Sequence, residues 1–282
     1  MLESKITNKK ISVIIASYKP QSYVWKCIDS LASQTLDADL YEVIIVLNGP
    51  KDPYFDEIAD YVAKKGIQNL NLIYTDKRGV SEARNIGLEI SVGNYLVFID
   101  DDDYISENYL ELLLGNAEKD TIVLSDNEFF EDMTNKVLSN PRSDSFKPNY
   151  ETTNILKFRK FYRVAWGKLI PRNLIGNIKF DTNIQPGEDT LFIMEVLSKA
   201  RTIRTIQDGS FYHRRIRKNS LISPKTGLID HWKLHSHQIL KHIMILPRKS
   251  SLAHKIIVTA SALGILRYFL KRSFSLILNK PA

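Results

Sequence analysis

Tyr95-Leu96-Val97-Phe98-Ile99-Asp100-Asp101-Asp102-Asp103 is an apolar run that ends in four consecutive carboxylates. The run has the length and the β-branched and aromatic content of a buried strand. Four like charges at a strand end repel one another unless a cation lies among them. Carboxylate oxygens are hard ligands suited to Mg²⁺ or Mn²⁺, ions that commonly also hold a substrate phosphate. A metal site at the carboxyl edge of a parallel sheet satisfies both halves of the stretch, and that edge is where open α/β sheets bind ligands. Two other readings compete. A solvated loop or a helix N-terminus also favours Asp. An EF-hand loop would take Asp100, Asp102 and Glu111 as its positions one, three and twelve, but its sixth position is Ile105 where Gly is required, and a strand precedes it.

Upstream of this stretch, strand and helix signals alternate. Ile11 to Ala16 reads as a strand, and Ser22 to Ser33 as a helix with Val24, Ile28 and Leu31 on one face and Ser22 as N-cap. Glu42 to Leu47 reads as a strand closed by Asn48-Gly49-Pro50, and Asp56 to Lys65 as a helix stopped by Gly66. Leu70 to Tyr74 and Val80 to Ile90 supply the next strand and helix. The alternation implies right-handed βαβ units and a mainly parallel sheet flanked by helices. Downstream, Thr121 to Leu124 reads as a strand, residues 130–150 as polar and irregular, Trp166 to Ile170 as a strand or tight turn, and Asp189 to Leu197 as a helix. No repeat or low-complexity segment is present.

The chain has 282 residues, enough for one large domain with an appendage. Its 44% hydrophobic and 25% charged content is that of a soluble globular protein. The single cysteine, Cys27, excludes an intrachain disulfide and agrees with a reducing, cytoplasmic location. Met1 to Lys10 is polar, and the short apolar run after it lacks a small-residue cleavage site, so no signal peptide is read. The net charge of +7 hides a division: the residues from His213 onward hold 14 Lys and Arg against one acid, Asp230, which leaves the first 212 with 25 basic and 31 acidic groups.

Several motifs occur together in order: Ser12-Val13-Ile14-Ile15-Ala16-Ser17-Tyr18, Val43 to Gly49, Gly79-Val80-Ser81-Glu82-Ala83-Arg84-Asn85-Ile86-Gly87, Gly93 to Asp103, Gly187-Glu188-Asp189 and Tyr212-His213-Arg214-Arg215. The set resembles the family 2 glycosyltransferases, inverting enzymes of the GT-A fold, a Rossmann-like nucleotide-diphospho-sugar transferase architecture. Each motif alone is weakly specific; the order and separations are specific. The resemblance runs from Ile11 to about Ser220 and implies a GT-A domain over residues 8–224, with residues 225–282 as a basic helical extension.

The resemblance also implies roles. Ser17 and Tyr18 would meet the base and ribose of a nucleotide, although Ala16 stands where the family usually has Pro. Asn48 would hydrogen-bond the base, with Leu47 replacing a usual acid. Arg84 would lie near the nucleotide, where its forked donors suit phosphates and carboxylates; a structural ion pair to an aspartate is the alternative. Asp100 and Asp102 match the family's Asp-X-Asp: Asp102 would ligate Mn²⁺ or Mg²⁺ directly, Asp100 would orient the ribose or the ion's water shell, and Asp101 would lie on the donor side. Glu188 and Asp189 would be catalytic, Asp189 as the base that deprotonates the acceptor hydroxyl during inversion. Arg215 would close over the diphosphate, and Trp166 would offer an aromatic face to the acceptor or pack in the core.

The implied partners are a nucleotide-sugar donor, UDP-linked on this reading, and a glycan or lipid-linked acceptor of cell-surface polysaccharide synthesis. Beyond Pro224 the sequence reads as helical. Ile256 to Leu266 is apolar but too short to span a bilayer. The tail suits either a helix lying on an anionic membrane at the inner face of the cell membrane or an amphipathic helix packed on the domain. His231 and His235 lack the carboxylate and fourth ligand of a zinc site. A sugar nucleotidyltransferase would need a Gly-rich loop where Ala16-Ser17-Tyr18-Lys19-Pro20 stands. An acidic body argues against nucleic acid as a partner, and a catalytically inactive, glycan-binding relative is the remaining alternative.

Overall fold

The computed structural model describes residues 10–132, 134–140, 142–217, 228–244 and 252–277. In chain order the elements are β1 (Ile11–Ser17), α1 (Tyr23–Ala32), β2 (Tyr41–Asn48), α2 (Tyr54–Lys65), β3 (Leu70–Thr75), α3 (Val80–Ile90) and β4 (Tyr95–Asp100). Next come β5 (Tyr104–Ile105), α4 (Tyr109–Gly115), β6 (Thr121–Leu124), β7 (Asp126–Glu131), β8 (Val137–Leu138) and β9 (Glu151–Thr152). The last are β10 (Lys168–Pro171), α5 (Arg172–Ile175), α6 (Glu188–Leu197), β11 (Thr202–Thr205), β12 (Phe211–Ile216), α7 (Leu228–Met244) and α8 (Leu252–Ile277).

An eight-stranded sheet runs β3-β2-β1-β4-β10-β6-β11-β9. Its first four strands are mutually parallel, and β10 runs against both its neighbours. The chain steps from β1 to β2 to β3 in one direction, then returns through α3 to lay β4 on the other side of β1. That reversal is a topological switch point, and a crevice opens there beyond the strand ends. Register places Ser17 beside Leu47, Ala16 beside Asp100 and Asn48 beside Thr75, so the expected donor residues share one edge.

Period-two alternation splits the core. Ile11, Val13 and Ile15 pack with Val24, Ile28 and Leu31 of α1 and with Leu110 and Leu113 of α4. On the opposite face Ile14, Leu96 and Phe98 meet Phe180 and Phe192. Phe180 stacks on Phe192 with centroids 4.0 Å apart, and Phe98 meets Phe180 edge-on at 5.3 Å. A Cβ on Gly87 would lie 2.4 Å from Ile14 Cγ2, so α3 sits closer to β1 than any side chain there would allow. Helix α2 ends at Gly66 with φ +67, the left-handed cap expected from sequence. Ser22 does occupy the N-cap of α1 but makes no side-chain capping hydrogen bond, its backbone being helical already.

Two regions differ from the sequence expectation. Residues 130–150 are not wholly irregular: β7 and β8 form a hairpin in a second sheet of order β5-β12-β7-β8. This sheet lays β12 antiparallel to β5, immediately after the aspartate run, with Tyr212 opposite Ile105. The C-terminal extension packs on the domain rather than standing apart. Ile257 and Val258 of α8 are buried in the core beside α6, and the α7 residue Gln238 donates to the carbonyl of Pro186. The expected limits at residues 8 and 224–225 lie outside the described residues. His231's side chain also lies outside them, and His235 packs on the rings of Tyr268 and Phe269.

Candidate active site

Arg84 organises the site. It lies in α3, buried beneath the sheet edge, and its guanidinium is 5.3 Å from the Phe180 ring. Nη2 donates to Asp100 Oδ1 at 2.9 Å, and Nη1 donates to Asp189 Oδ1 at 2.5 Å with Glu188 Oε1 at 3.8 Å. One cation therefore ties the end of β4 to the start of α6. Burial opposes its charge, but Asp189, Asp100 and Glu188 outweigh burial and hold its pKa above the usual Arg value. Both readings of Arg84 from sequence meet here: the ion pair is real, and it spans the two carboxylate groups expected to be functional.

Asp189 is held from two sides. Its Oδ1 faces Arg84, and its Oδ2 accepts from the Ala165 backbone N–H at 3.1 Å. Beneath that loop Lys168 is buried, with Nζ donating to the carbonyls of Val164 and Trp166 at 2.7 Å each. Burial and then Arg142 push its pKa down to about 7. Glu188 is different. It is buried and its Oε2 has no hydrogen-bond partner, so desolvation, followed by Asp189, raises its pKa to about 7. The turn that presents the pair is gripped by α7: Gly187 has φ +115, and a Cβ on it would lie 2.7 Å from Gln238 Nε2.

The four aspartates divide. Asp100, Asp102 and Asp103 each offer an oxygen within 4.8 Å of the others. Asp101 turns away and accepts from Ser17 Oγ at 2.6 Å; burial, with Asp102 and Asp100 nearby, lifts its pKa to about 7. Asp103 is buried and saturated, accepting from Tyr212 Oη and from the Arg215 N–H at 2.7 Å each. Burial foremost, then Asp102 and Asp100, drive its pKa well up. Tyr212 Oη in turn accepts from the Asp100 N–H at 3.1 Å. Asp102 faces Arg217, with Nη2 2.7 Å from Oδ2. Three clustered, mutually repelling carboxylates are the hard-oxygen donor set that Mn²⁺ or Mg²⁺ prefers, so the residues fit the ion. Asp100 and Asp102 are freest to hold it.

At the β1–β2 end, Tyr18 is 45% exposed and its ring lies over Gly49, whose added Cβ would be 2.5 Å from Tyr18 Cε2. An exposed aromatic beside buried Asn48 suits a nucleobase. Leu47 is fully buried, so the missing acid points into the core and not to the rim.

Two expected residues lie elsewhere. Trp166 is only 4% exposed; it stacks on Tyr212 with centroids 4.6 Å apart, and the Arg142 guanidinium stands 5.0 Å from its ring. This corrects the expectation that its face is open to an acceptor: the packing alternative is what the structure shows. Arg215 donates Nε to the Asp102 carbonyl at 2.8 Å and pairs with Asp132 at 2.5 Å. Its guanidinium braces the aspartate loop from behind, so in this structure it does not cover the diphosphate side. Arg217, not expected, is the cation on Asp102. Strand alternation carries the signal that would have found it: continued one residue past β12, it puts Arg217 on the side of Arg215, opposite Tyr212 and Arg214.

The fold and the carboxylate edge define an open α/β sheet with a ligand crevice at its switch point. The profile of glycosyl transferase family 2 matches residues 12–178, and the chain belongs to that family. Among curated proteins, it is 29% identical over 238 residues to the uncharacterized glycosyltransferase EpsJ of Bacillus subtilis, covering 78% of this chain and 66% of EpsJ. It is 25% identical over 220 residues to the poly(ribitol-phosphate) beta-N-acetylglucosaminyltransferase TarS of Staphylococcus aureus, covering 76% of this chain and 37% of TarS. The chain thus spans less than two thirds of TarS and just under two thirds of EpsJ. In three dimensions it is similar to the crystal structure of S. aureus TarS 1-349 in complex with UDP-GlcNAc, with a TM-score of 0.75, 23% identity and coverage of 92% and 73%. It is also similar to the mannosyltransferase PcManGT from Pyrobaculum calidifontis in complex with GDP-Man and Mn²⁺, with a TM-score of 0.63, 16% identity and coverage of 94% and 75%. The architecture is GT-A.

Proposed function

We propose that the protein is an inverting glycosyltransferase that moves a sugar from a UDP-linked donor to a hydroxyl of a glycan or lipid-linked acceptor in cell-surface polysaccharide synthesis. The observation that carries this reading is the Asp100–Arg84–Asp189 bridge, which joins the metal-type strand end to a second carboxylate across the switch-point crevice. TarS has been solved with UDP-GlcNAc, and its name gives it a polyol-phosphate acceptor, which supports a nucleotide donor and a wall-type acceptor here.

Tyr18 and Asn48 receive the base, and Ser17 and Asp101 flank the ribose. Asp102 and Asp100 would hold Mn²⁺ or Mg²⁺, which when bound supplies positive charge for the departing diphosphate. Asp189 accepts the acceptor hydroxyl's proton as the oxygen attacks the anomeric carbon from the face opposite the diphosphate, and the configuration inverts. Arg84 and the Ala165 N–H fix the orientation of that carboxylate. Calorimetry of UDP binding tests the donor site. Binding in Mn²⁺ that is lost with EDTA and in Asp102→Ala is expected. Binding unchanged by EDTA would overturn the metal assignment, and no UDP binding in either condition would overturn UDP as the donor nucleotide.

Membrane association belongs to the same proposal. Among the described residues no helix is long and apolar enough to cross a membrane. Helices α7 and α8 nevertheless expose Ile243, Met244, Leu252, Leu263, Tyr268 and Leu270. With the basic excess of this segment, that face suits an anionic lipid surface. Removing the helices would also release Gln238 from the Pro186 turn, so the clean test is Leu263→Glu with Leu270→Glu. Loss of flotation with phosphatidylglycerol vesicles, with UDP binding retained, is expected; unchanged flotation would sink the idea.

A further inference from the structure

A cavity of about 690 Å³ opens beside the candidate site, and its charge is of one sign. Arg142, Arg159, Lys160, Arg163 and Arg214 line it, with no carboxylate among its lining residues. Ile256, Ile257 and Ala260 of α8 form an apolar side. Its position is fixed relative to Asp189. Met194, one of its walls, lies in α6 with Asp189, and Thr190 Oγ1 donates to the Arg163 carbonyl at 3.4 Å. Its separation from the aspartates is also fixed. Arg142 and Arg214 stand 5.0 and 5.7 Å from the Trp166 ring, which stacks on Tyr212, which bonds Asp103. The cavity therefore adjoins α6, the helix that begins with Glu188 and Asp189, and the Trp166–Tyr212 pair stands between it and Asp103.

We infer that this cavity holds a phosphate-bearing part of the acceptor, on the reading that the protein is a glycosyltransferase. Four guanidinium groups, Arg142, Arg159, Arg163 and Arg214, share this lining without a carboxylate among the lining residues, and clustered like charges are unfavourable until an anion joins them. Arg142 shows the cost: burial first, then Arg214 and Arg163, push its pKa down to about 10. Its Nε already donates to the Lys160 carbonyl at 3.0 Å, which fixes the direction of its remaining donors. An uncharged glycan would gain nothing from these four arginines, and guanidinium groups recognise phosphate oxygens through paired hydrogen bonds. The volume exceeds what one phosphate needs and falls in the range of sites for sizeable ligands, about 300–1,000 Å³. The apolar α8 wall suits an alkyl or polyol chain attached to that phosphate.

Phosphate of this kind occurs in a soluble polyol-phosphate chain and in a lipid-diphosphate headgroup, and two arms of one experiment separate them. Binding of a synthetic ribitol-phosphate oligomer, and of a short-chain prenyl diphosphate-linked sugar, is measured by calorimetry on the full chain. The dephosphorylated oligomer is the control. Wild type should bind at least one phosphorylated probe, more than tenfold tighter than the control. Arg159→Ala with Arg163→Ala should weaken that binding at least tenfold, and Arg159→Lys with Arg163→Lys should recover most of it. UDP affinity, read on the same samples, reports whether the variants remain folded and tests the donor reading separately. Equal binding of phosphorylated and dephosphorylated oligomers, no binding of either phosphorylated probe, or full affinity in the alanine variant would overturn the inference while leaving UDP binding intact.

Discussion

The carboxylate edge and the basic cavity are opposite in charge and in construction. The donor side is the carboxyl edge of β1, β2 and β4, where Asp100, Asp101 and Asp102 follow consecutively and one buried Arg84 compensates part of their charge. The cavity is lined by Arg142, Arg159, Lys160, Arg163 and Arg214 with Phe129, Met194 and the apolar side of α8, and every charged residue of its lining is a cation. Acidic strand ends attract a divalent ion with its diphosphate, and a basic cleft attracts an anionic acceptor. On the proposed reading, separating the signs keeps each substrate from the other's place. Arg84 and Asp189 join the strand end to the start of α6, the helix that also supplies Met194 to the cavity, so they are where the comparison is most easily broken.

Asp189→Asn should give the largest effect. The amide keeps the shape and can still accept from the Ala165 N–H, but it cannot take the hydroxyl proton. A fall in kcat of about 10²–10⁴ is expected, with UDP affinity unchanged. A variant with near wild-type turnover in a UDP-sugar assay would move the base elsewhere, and Glu188 would be first in line. Arg84→Ala comes next. It leaves Asp100, Glu188 and Asp189 without their shared cation, and truncating one member of a buried ionic cluster costs about 3–5 kcal/mol. Urea denaturation should show that loss, and Arg84→Lys should recover only part of it, since one ammonium cannot span both carboxylates as the guanidinium does. Retention of full stability in Arg84→Ala would mean that the bridge does not hold the strand end to α6.

How far each side was legible follows from the same contrast. The parallel strands, α3 and the aspartate run are local patterns: period-two or continuous apolar runs, glycine stops and helical spacing, while the place of Arg84 beside the site came from the family resemblance. Ser17, Asn48 and Asp100 could be placed together because parallel register follows from the βαβ order. The basic cavity has no local pattern. Its cations come from the loop after β8, a 3₁₀ segment (Ile155–Arg163) and β12, its apolar wall comes from α8, and only folding brings them together. Trp166 and Arg215 illustrate the limit. Residue type suggested a sugar-stacking ring and a phosphate clamp, but the decision depended on Tyr212 and Asp132, one distant in sequence and one in a hairpin read as irregular. The tail was ambiguous for a related reason. Its interleaved basic and apolar residues fit a membrane or a domain face, and the contacts of Gln238, Ile257 and Val258 show that it has a packed side.

Trp166→Ala sharpens that correction. A packing residue should lose about 3–5 kcal/mol on truncation, and the Arg142 and Arg214 charges would lose the ring between them and Tyr212. Stability in urea should fall accordingly. A KM increase for acceptor with no loss of stability would instead restore Trp166 to a surface that touches the sugar.

The smallest effect expected is on pH dependence, and it falls on the Glu188–Asp189 pair. Glu188 has a folded pKa of about 7 against an ordinary value of 4.5, chiefly from burial and then from the Asp189 charge. Below about pH 4.5 both the folded and unfolded chains carry this proton. Between 4.5 and 7 the unfolded chain releases it and the folded chain keeps it, so the folded state binds more protons and stability falls as pH rises. The slope for one proton is at most about 1.4 kcal/mol per pH unit, and it ends above the folded pKa. Glu188→Gln removes the titration and leaves a neutral group of the same shape beside Asp189. Urea midpoints for this variant between pH 5 and 8 should therefore decline less steeply than those of wild type. Parallel curves would show that Glu188 is ionised in the fold across this range, and that its partnerless oxygen is in fact hydrated.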